Sequence, residues 1–262
     1  MEKLDRLRSI ISEKNRLLIA FSGGVDSSLL AKVAYDLLGD DVLAVTLDTL
    51  TLPRSELEAA CEIASDIGIP HRVVCFSEME DEEFVKNTPD RCYFCKRKSA
   101  KFLKVLAAEE SIETVAYGVN ISDYGEHRPG IKACNEEGIW HPFVEASLTK
   151  SDVREIAKDL GLPSWDKPST ACLSSRIPYG ENITIEKLKM VEDAEEILHS
   201  FGFLQSRVRL HKNIARIEVL QDEMEDLIAL RLQITTSFKD IGFDYVSMDL
   251  KGYRSGSMDE VL

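Results

Sequence analysis

The sequence predicts an α/β fold, in which a parallel sheet with crossover helices is followed by a smaller C-terminal α+β domain. Apolar runs bounded by turn residues alternate with helical patterns from Leu17 to about Pro163, an order typical of parallel βα units. From Thr184 onward the pattern changes to helix, two strands, helix and strand. We therefore expect two domains, at residues 1–180 and 181–262, and the length of 262 residues is sufficient for both.

The elements of the larger domain follow from local signals. An amphipathic pattern at the N-terminus predicts a short helix before the first strand. Short apolar runs predict strands at 17–21, 42–47, 71–76 and 114–119. Longer periodic runs predict helices at 26–38, 55–67, 99–109 and 151–160. The segments 77–98, 120–148 and 163–183 break this alternation, and long ordered loops are often functional.

The smaller domain is predicted to contain helices at 185–201 and 222–241 and strands at 205–210, 215–220 and 245–250. In the first of these strands, alternation puts Arg207 and Arg209 on one face and apolar side chains on the other. Any half-buried strand has such a pattern, but two arginines two residues apart could also bind one phosphate group. The tail after Lys251 is expected to be frayed.

The net charge of -14 argues against a nucleic-acid partner, because proteins that bind nucleic acid usually present a strongly basic face. A small-molecule substrate is favoured, although the short basic run 96–98 leaves the nucleic-acid alternative open. The N-terminal residues lack the features of a signal peptide, and no apolar run approaches the ~18 residues of a membrane span. We expect a cytoplasmic protein without membrane association, whose six cysteines are ligands, catalytic groups or core residues rather than disulfides.

A glycine pair links the first predicted strand to the helix that follows it, in the segment Ser22-Gly23-Gly24-Val25-Asp26-Ser27-Ser28. Glycines there permit positive φ and a close backbone approach. The first N–H groups of the helix and its dipole favour an anion, and three serine hydroxyls add donors. The lysine and the third glycine of the common nucleotide fingerprints are absent. The loop therefore predicts phosphate binding, with a plain glycine turn before a capped helix as the alternative.

Three cysteines fall in two of the segments that break the alternation. Cys92 and Cys95 form a CxxC, and Cys172 lies in the later segment. Three thiolates suit a soft metal or an iron–sulfur site with one free position. One alternative is a zinc site that His127 completes. Another is a redox pair of Cys92 and Cys95, in which neighbouring basic residues lower the thiol pKa values.

The remaining cysteines give weaker signals. Cys61 and Cys75 lie at expected helix and strand positions and are most simply core residues. Cys134 is left undecided.

The loop Ser-Gly-Gly-x-Asp-Ser resembles the pyrophosphate-binding loop of the PP-loop ATP pyrophosphatases. The resemblance implies a Rossmann-like domain and an enzyme that cleaves ATP between the α and β phosphates and transfers AMP to a carbonyl or carboxylate oxygen. It also implies that Ser22, Gly23, Gly24, Ser27 and Ser28 hold the pyrophosphate. Asp26 is then expected to help with Mg²⁺. Asp48 is expected to recognise the adenosine, or else to cap a turn.

Further motifs resemble the LarE family of ATP-dependent sulfur-insertion enzymes. They are Arg-Cys-Tyr-Phe-Cys-Lys at 91–96, Tyr-Gly-Val-Asn-Ile-Ser-Asp-Tyr at 117–124 with Arg-Pro-Gly at 128–130, and the segments 165–168 and 171–180. The resemblance implies that Gly118 and Asn120 belong to the ATP site. It assigns substrate contacts to Asp123, Arg128, Ser175 and Arg176, and the substrate's nucleotide phosphate to Arg207 and Arg209. Glu195 and Asp226 correspond roughly to acidic residues near metal ions.

The same resemblance implies a reaction and its partners. The enzyme would adenylate a carboxylate of pyridinium-3,5-biscarboxylic acid mononucleotide and replace AMP with sulfur, in the biosynthesis of the nickel-pincer cofactor. Some members lose the sulfur of a single cysteine, here at the position of Cys172. Others hold a [4Fe-4S] cluster on three cysteines, here Cys92, Cys95 and Cys172, which carries a sulfide from a sulfur donor. We favour the cluster form, and a homo-oligomer is implied.

Three other functions remain open. A tRNA thiolase shares the loop, the AMP chemistry and often a three-cysteine cluster. An ammonia-using synthetase would not need the three cysteines. A nucleotide sensor or an electron carrier that holds a cluster would not be catalytic.

Overall fold

The computed structural model describes residues 2–125, 129–168, 171–254 and 256–261. The chain folds into two compact units, one of residues 1–78 and 92–170 and the other of residues 79–91 and 171–262. This division begins the second unit ten residues before the expected boundary and adds the segment 79–91 to it. That segment belongs there because Asn87 donates hydrogen bonds to the carbonyl oxygens of Ile177, Pro178 and Glu181, at 3.1, 2.8 and 3.1 Å.

The first unit contains a four-stranded, wholly parallel sheet in the order β3-β2-β1-β4. Its strands are β1 (Leu17–Ala20), β2 (Val42–Asp48), β3 (His71–Cys75) and β4 (Thr114–Ala116). The helices of this part of the chain are α1 (Glu2–Ser12), α2 (Val25–Leu38), α3 (Arg54–Ile67), α5 (Arg91–Glu109), α6 (Pro129–Glu136), α7 (Pro142–Glu145) and α8 (Lys150–Asp159). The Rossmann-like α/β prediction is confirmed.

Apolar side chains cover this sheet on both sides. Leu17 and Ile19 belong to one buried cluster, with residues of α1, α2 and α8, whereas Leu18 belongs to another, with residues of α5 and β4. Successive side chains of a strand point to opposite faces, so a continuous apolar run such as 17–19 is what a doubly covered parallel strand requires.

The second unit contains a three-stranded sheet in the order β5-β6-β7. Its strands are β5 (Arg207–His211), β6 (Ile214–Glu218) and β7 (Tyr245–Met248), and its helices are α4 (Glu82–Val85), α9 (Ile185–Ser200), α10 (Met224–Ala229) and α11 (Arg231–Asp240). β5 and β6 are antiparallel, and β6 and β7 are parallel. The α+β prediction for this part of the chain is confirmed.

Four sequence-based expectations about the elements were wrong. The CxxC lies in the first turn of α5, which begins eight residues before the expected helix, and not in an irregular loop. The segment 120–148 contains α6 and α7. The expected helix 222–241 is interrupted at Leu230, between α10 and α11. The tail is held by side chains, since the Ser257 hydroxyl donates to Glu218 at 2.7 Å.

In the part of the chain that the structure describes, no helix is both long enough and apolar enough to cross a membrane.

Candidate functional site

The glycine pair forms a tight connection between β1 and α2. Gly23 has φ +68°, and a Cβ atom there would lie 2.8 Å from the Cα of Ala60, so only glycine fits without a shift of the backbone. The Ser27 hydroxyl lies 3.2 Å from the backbone nitrogen of Ser22 and 3.1 Å from the carbonyl oxygen of Gly24. The loop therefore presents the start of a 14-residue helix in a fixed conformation, which suits an anion.

The serine hydroxyls of this loop are used to different degrees. Ser22 and Ser27 lie 3.2 Å apart through their hydroxyl oxygens. The buried Ser28 hydroxyl has no hydrogen-bond partner among the described residues. A donor of the loop thus stays unused, as an anion site requires.

Asp26, in the first turn of α2, is held between two other segments of the first unit. Asn120 donates to one of its carboxylate oxygens at 3.1 Å, and the ammonium group of Lys150 pairs with the other. Gly118 makes the approach possible, because a Cβ atom there would lie 2.9 Å from the backbone carbonyl carbon of Asp26. Gly118 and Asn120 follow β4, so the structure brings the predicted residues at 22–28, 118 and 120 together.

This position is where an open parallel sheet binds ligands. The chain passes from β1 to β2 on one side, and β4 lies on the other side of β1. Ligands of such sheets bind beyond the carboxyl ends of the strands where the order reverses. The loop after β1 and the residues after β4 form that point.

Sequence reasoning missed Lys150. This residue begins α8, behind a capping box in which the Thr149 hydroxyl and the Asp152 carboxylate bond to each other's backbone nitrogens. The cap fixes the start of the helix and so the direction of the lysine. A lysine directly after a capping threonine was a usable signal, but the pairing with Asp26 spans 124 positions and required the fold.

Asp48 and Asp123 have local partners. Arg54 donates to the Asp48 carboxylate at 2.5 Å and to the carbonyl oxygen of Thr49 at 2.6 Å. Asp123 accepts from the backbone nitrogen of Asn120 at 3.0 Å. Asp48 thus stabilises the loop after β2, and Asp123 the turn that holds Asn120; an adenosine contact for the first and a substrate contact for the second stay predictions.

The predicted thiols are distributed over both units. Cys92 and Cys95 are one turn apart in α5, on one face of the helix, and Cys172 is exposed in the second unit. Among the described residues, no three His, Cys, Asp or Glu side chains are grouped so as to hold a metal ion. Thiolates are nevertheless the donors that iron–sulfur clusters use, so the three-cysteine site stays a prediction. Cys134 is buried with the core residues beside β4.

Cys172 caps a short 3-10 helix (Leu173–Arg176) and is held by its own loop. Its sulfur lies 2.9 Å from the Ser174 hydroxyl. Arg176 donates to the carbonyl oxygens of Ala171 and Cys172, at 2.7 and 3.2 Å. The thiol is therefore accessible while its backbone is fixed.

Arg176 itself is only 1% exposed and forms a two-bond ion pair with Glu195 of α9, at 2.9 and 2.8 Å. Glu195 also accepts from the backbone nitrogen of Val208 at 2.9 Å. Burial acts to raise the pKa of Glu195, but Arg176 outweighs it and the pKa lies below its usual value of 4.5. In this conformation, Arg176 therefore positions the loop that carries Cys172, which we call the cysteine loop, against β5.

Arg207 and Arg209 are both buried in the second unit, at 7% and 5% exposure. Arg209 pairs with the fully buried Glu218 at 2.8 Å and donates to the carbonyl oxygen of Ser175 at 3.2 Å. The guanidinium of Arg207 lies 5.3 Å from the ring centre of Tyr253. Sequence alternation predicted that these arginines share a face, but it did not predict their buried carboxylate partner.

The remaining expected residues are placed as follows. Arg128 and His127 lie outside the described residues. Asp226 is exposed in α10, beside Glu223 on a shallow cavity that is also lined by Phe201 and Phe203.

Comparison with known proteins identifies relatives along the whole chain. A family model for asparagine synthase matches residues 9–102. A pyridinium-3,5-bisthiocarboxylic acid mononucleotide synthase of Lactiplantibacillus plantarum is 35% identical over 98% of this chain and 93% of its own. An uncharacterized protein of Synechocystis is 45% identical over 99% of this chain and 98% of its own. A tRNA-specific 2-thiouridylase of Azorhizobium caulinodans is 28% identical over 74% of this chain and 60% of its own.

The parallel sheet, the loop after β1 and the matched family model define a PP-loop ATP pyrophosphatase domain, a class of enzyme domain that uses ATP. Within this class, the similarity to the Lactiplantibacillus synthase over nearly the full length of both chains shows that the chain belongs to the LarE family of ATP-using sulfurtransferases.

Proposed function

We propose that this chain adenylates a carboxylate of pyridinium-3,5-biscarboxylic acid mononucleotide and replaces the AMP with sulfur, to give a thiocarboxylate for the nickel-pincer cofactor. The observation that carries the proposal is the 35% identity over 98% of the chain to a synthase of the bisthiocarboxylic acid mononucleotide. The loop at 22–28 and the exposed Cys172 supply the two kinds of chemistry that the reaction needs.

In the first step, the carboxylate oxygen of the substrate attacks the α phosphorus of ATP, and the bond to the β phosphate breaks. The pyrophosphate that leaves would be held by the first-turn N–H groups of α2 and by Ser22, Ser27 and Ser28. The Asp26 carboxylate is the hard oxygen donor that suits Mg²⁺, and Lys150 places a second positive charge beside it. The product is an acyl adenylate.

In the second step, a sulfur nucleophile forms a bond to the acyl carbon, and AMP leaves with the electrons of the C–O bond. A carboxylate does not undergo this substitution until it carries such a leaving group. With hydrosulfide as nucleophile, its proton passes to solvent and the thiocarboxylate remains. Cys172 would hold the sulfur source for this step, because its thiol is exposed while Ser174 and Arg176 fix its loop.

For the sulfur source we propose the cluster form, in which Cys92, Cys95 and Cys172 would hold a [4Fe-4S] cluster that supplies a sulfide. The soft donor set supports this proposal. The alternative is the sacrificial form, in which the Cys172 thiolate would attack the acyl carbon and displace AMP to give a thioester. A base would then remove the Cα proton, and the Cβ–S bond would break with its electrons on sulfur, which leaves the thiocarboxylate and dehydroalanine.

The reaction is tested by incubating the anaerobic protein with MgATP and the biscarboxylic acid mononucleotide. We expect pyrophosphate, AMP and thiocarboxylate, each dependent on the substrate. The same assay with bulk tRNA tests the thiolase alternative, since release of AMP with tRNA and not with the mononucleotide would reverse the assignment. Absence of release with either would favour a nucleotide sensor.

The sulfur source is tested by iron and sulfide assays and visible absorption of anaerobically reconstituted protein. We expect a brown protein that loses iron in Cys92→Ala, Cys95→Ala and Cys172→Ala. Cys75→Ala is the matched control, because Cys75 is another exposed cysteine outside the set. A colourless protein whose Cys172 becomes dehydroalanine after turnover would establish the sacrificial form.

A further inference from the structure

The C-terminal residues of the second unit cover Arg207 and Arg209, the two arginines that the family resemblance predicts to bind the substrate's phosphate. We call residues 252–254 and 256–260 the strap. The ring of Tyr253 lies against Arg207, and the Ser257 hydroxyl accepts from Arg209 at 3.0 Å. Arg207 and Arg209 are more than nine-tenths buried, so a phosphate cannot reach them in this conformation.

The other partners of Arg209 belong to the interior of the unit. Glu218 is the last residue of β6 and is fully buried. The carbonyl oxygen of Ser175 belongs to the 3-10 helix behind Cys172. Moving either would disturb the sheet or the cysteine loop, whereas Tyr253 and Ser257 lie beyond the last strand. The strap can therefore leave without moving Glu218 or Ser175, and its departure breaks, besides the bond from Arg209, one buried hydrogen bond, from the Ser257 hydroxyl to Glu218 at 2.7 Å.

The strap is anchored at one end. Gly252 has φ +69°, and a Cβ atom there would lie 2.8 Å from the carbonyl oxygen of Val219. The next backbone nitrogen, of Tyr253, donates to that same oxygen at 2.7 Å. The close approach makes this point a fixed pivot.

Beyond the pivot, the strap is held by side chains. Arg254 pairs with Glu260 at 2.5 Å and with Asp249 at 3.3 Å, and the Tyr179 hydroxyl donates to Asp259 at 2.8 Å. The Asp249 side chain is only 10% exposed, but Glu260 and Asp259 are exposed, and contacts of exposed carboxylates contribute little and are screened by salt. A charged ligand can compete with such contacts.

We propose that the strap is a cover that the substrate's phosphate displaces from Arg207 and Arg209. This inference rests on the proposed phosphate role of the two arginines. A phosphate dianion forms charge-assisted bonds with guanidinium groups, which are stronger than the bond to the neutral Ser257 hydroxyl and the contact with the Tyr253 ring. Displacement of the strap exposes the arginines beside the loop that carries Cys172, so the acceptor's phosphate itself opens its site.

The test uses the full chain and nicotinic acid mononucleotide, a pyridinium nucleotide with one phosphate, as the probe. Hydrogen–deuterium exchange in peptides that cover 252–260 should increase when the probe binds. Arg254→Gln, which loosens the strap without touching the arginines, should bind the probe about two- to fivefold more tightly, as expected for the loss of an exposed ion pair. Lys189→Gln, which removes the exposed pair with Asp193 in α9, is the matched control and should bind like the wild type.

The opposite results overturn the proposal. If probe binding protects 252–260 from exchange, or if Arg254→Gln weakens binding, the strap is a fixed part of the site and not a cover. A separate measurement tests whether the arginines bind the phosphate at all. Unchanged probe affinity in Arg207→Lys and Arg209→Lys would show that they do not. In that case the strap has no ligand to admit, and the proposal fails with it.

Discussion

The ammonium group of Lys150 pairs with the carboxylate of Asp26, although 124 positions separate the two residues in the chain. Asp26 belongs to the loop between β1 and α2, and Lys150 to the first turn of α8. The pair therefore places a second element, besides the loop itself, at the point where the order of the parallel strands reverses.

Replacement of Lys150 should weaken ATP binding. We expect Lys150→Met to lower the affinity for MgATP about tenfold, because one charge-assisted contact near the phosphates contributes roughly 1.5 kcal/mol. Titration calorimetry with ATP measures this. Lys32→Met, which removes a lysine paired with Asp36 on the same unit, should leave the affinity unchanged, and equal affinities in both variants would remove Lys150 from the site.

Gly118 should not tolerate a side chain. In Gly118→Ala the new Cβ atom would lie 2.9 Å from the carbonyl carbon of Asp26, so the loop or the segment after β4 must move. We expect a loss of about 1–3 kcal/mol in the free energy of unfolding and a large loss of ATP affinity. Gly125→Ala is the control, since no described residue other than its chain neighbours lies within 4 Å of its added Cβ. Wild-type ATP affinity in Gly118→Ala would contradict the close approach.

Glu195→Gln should destabilise the protein at neutral pH. Removal of one charge from the buried pair with Arg176 should lower the free energy of unfolding by about 3 kcal/mol. Asp193→Asn, in the same helix and in an exposed pair, should cost less than about 0.5 kcal/mol. Urea unfolding of the two variants measures the difference.

The pH dependence of stability provides a second measurement on Glu195. Its pKa is lower in the folded protein than its usual 4.5, so its contribution is present above pH 4.5 and decreases as the pH falls through the folded pKa. The difference in unfolding free energy between wild type and Glu195→Gln should therefore be constant near neutrality and shrink below pH 4.5. A difference that grows on acidification would contradict the pairing.

Asn87 should be required for the order of the cysteine loop. It is fully buried, has φ +52° and donates to three carbonyl oxygens of residues 177–181. Asn87→Gly removes the hydrogen bonds, but glycine adopts a positive φ without strain. Asn87→Ala removes the same hydrogen bonds and also strains the backbone at this φ. We expect both variants to be less stable by about 1 kcal/mol or more, with Ala lower than Gly by about 1 kcal/mol. Thermal unfolding compares them, and equal stability of the two would show that φ at residue 87 carries no strain.

Much of the fold was predictable because its signals are local. Runs such as Leu17–Ala20 and the glycines after α2 and α3 carry strand and helix-end information within a few residues. The loop at 22–28 was predictable for the same reason. The start of α5 was not, because its first turn contains two cysteines and aromatic residues with modest helix propensity.

The parts of the site that could not be predicted from the sequence depend on partners that are distant in the chain. Glu218 is an ordinary strand residue by pattern, yet it is the buried counterion of Arg209. Arg176 was expected at the substrate, whereas the structure buries it against Glu195. Nothing within a few positions of these residues distinguishes a structural arginine from a ligand-binding one, because the difference lies in burial and in the carboxylate that the fold supplies.

Gly23 and Ala60 form one steric unit. The space for a methyl group at Gly23 is already taken by the backbone of Ala60 in α3, so neither position can accept a larger residue unless the helix moves away. A change at Ala60, which carries no functional group, would therefore be detected first as a defect in ATP use. A substitution at residue 60 should therefore be interpreted as a change in the conformation of the phosphate loop.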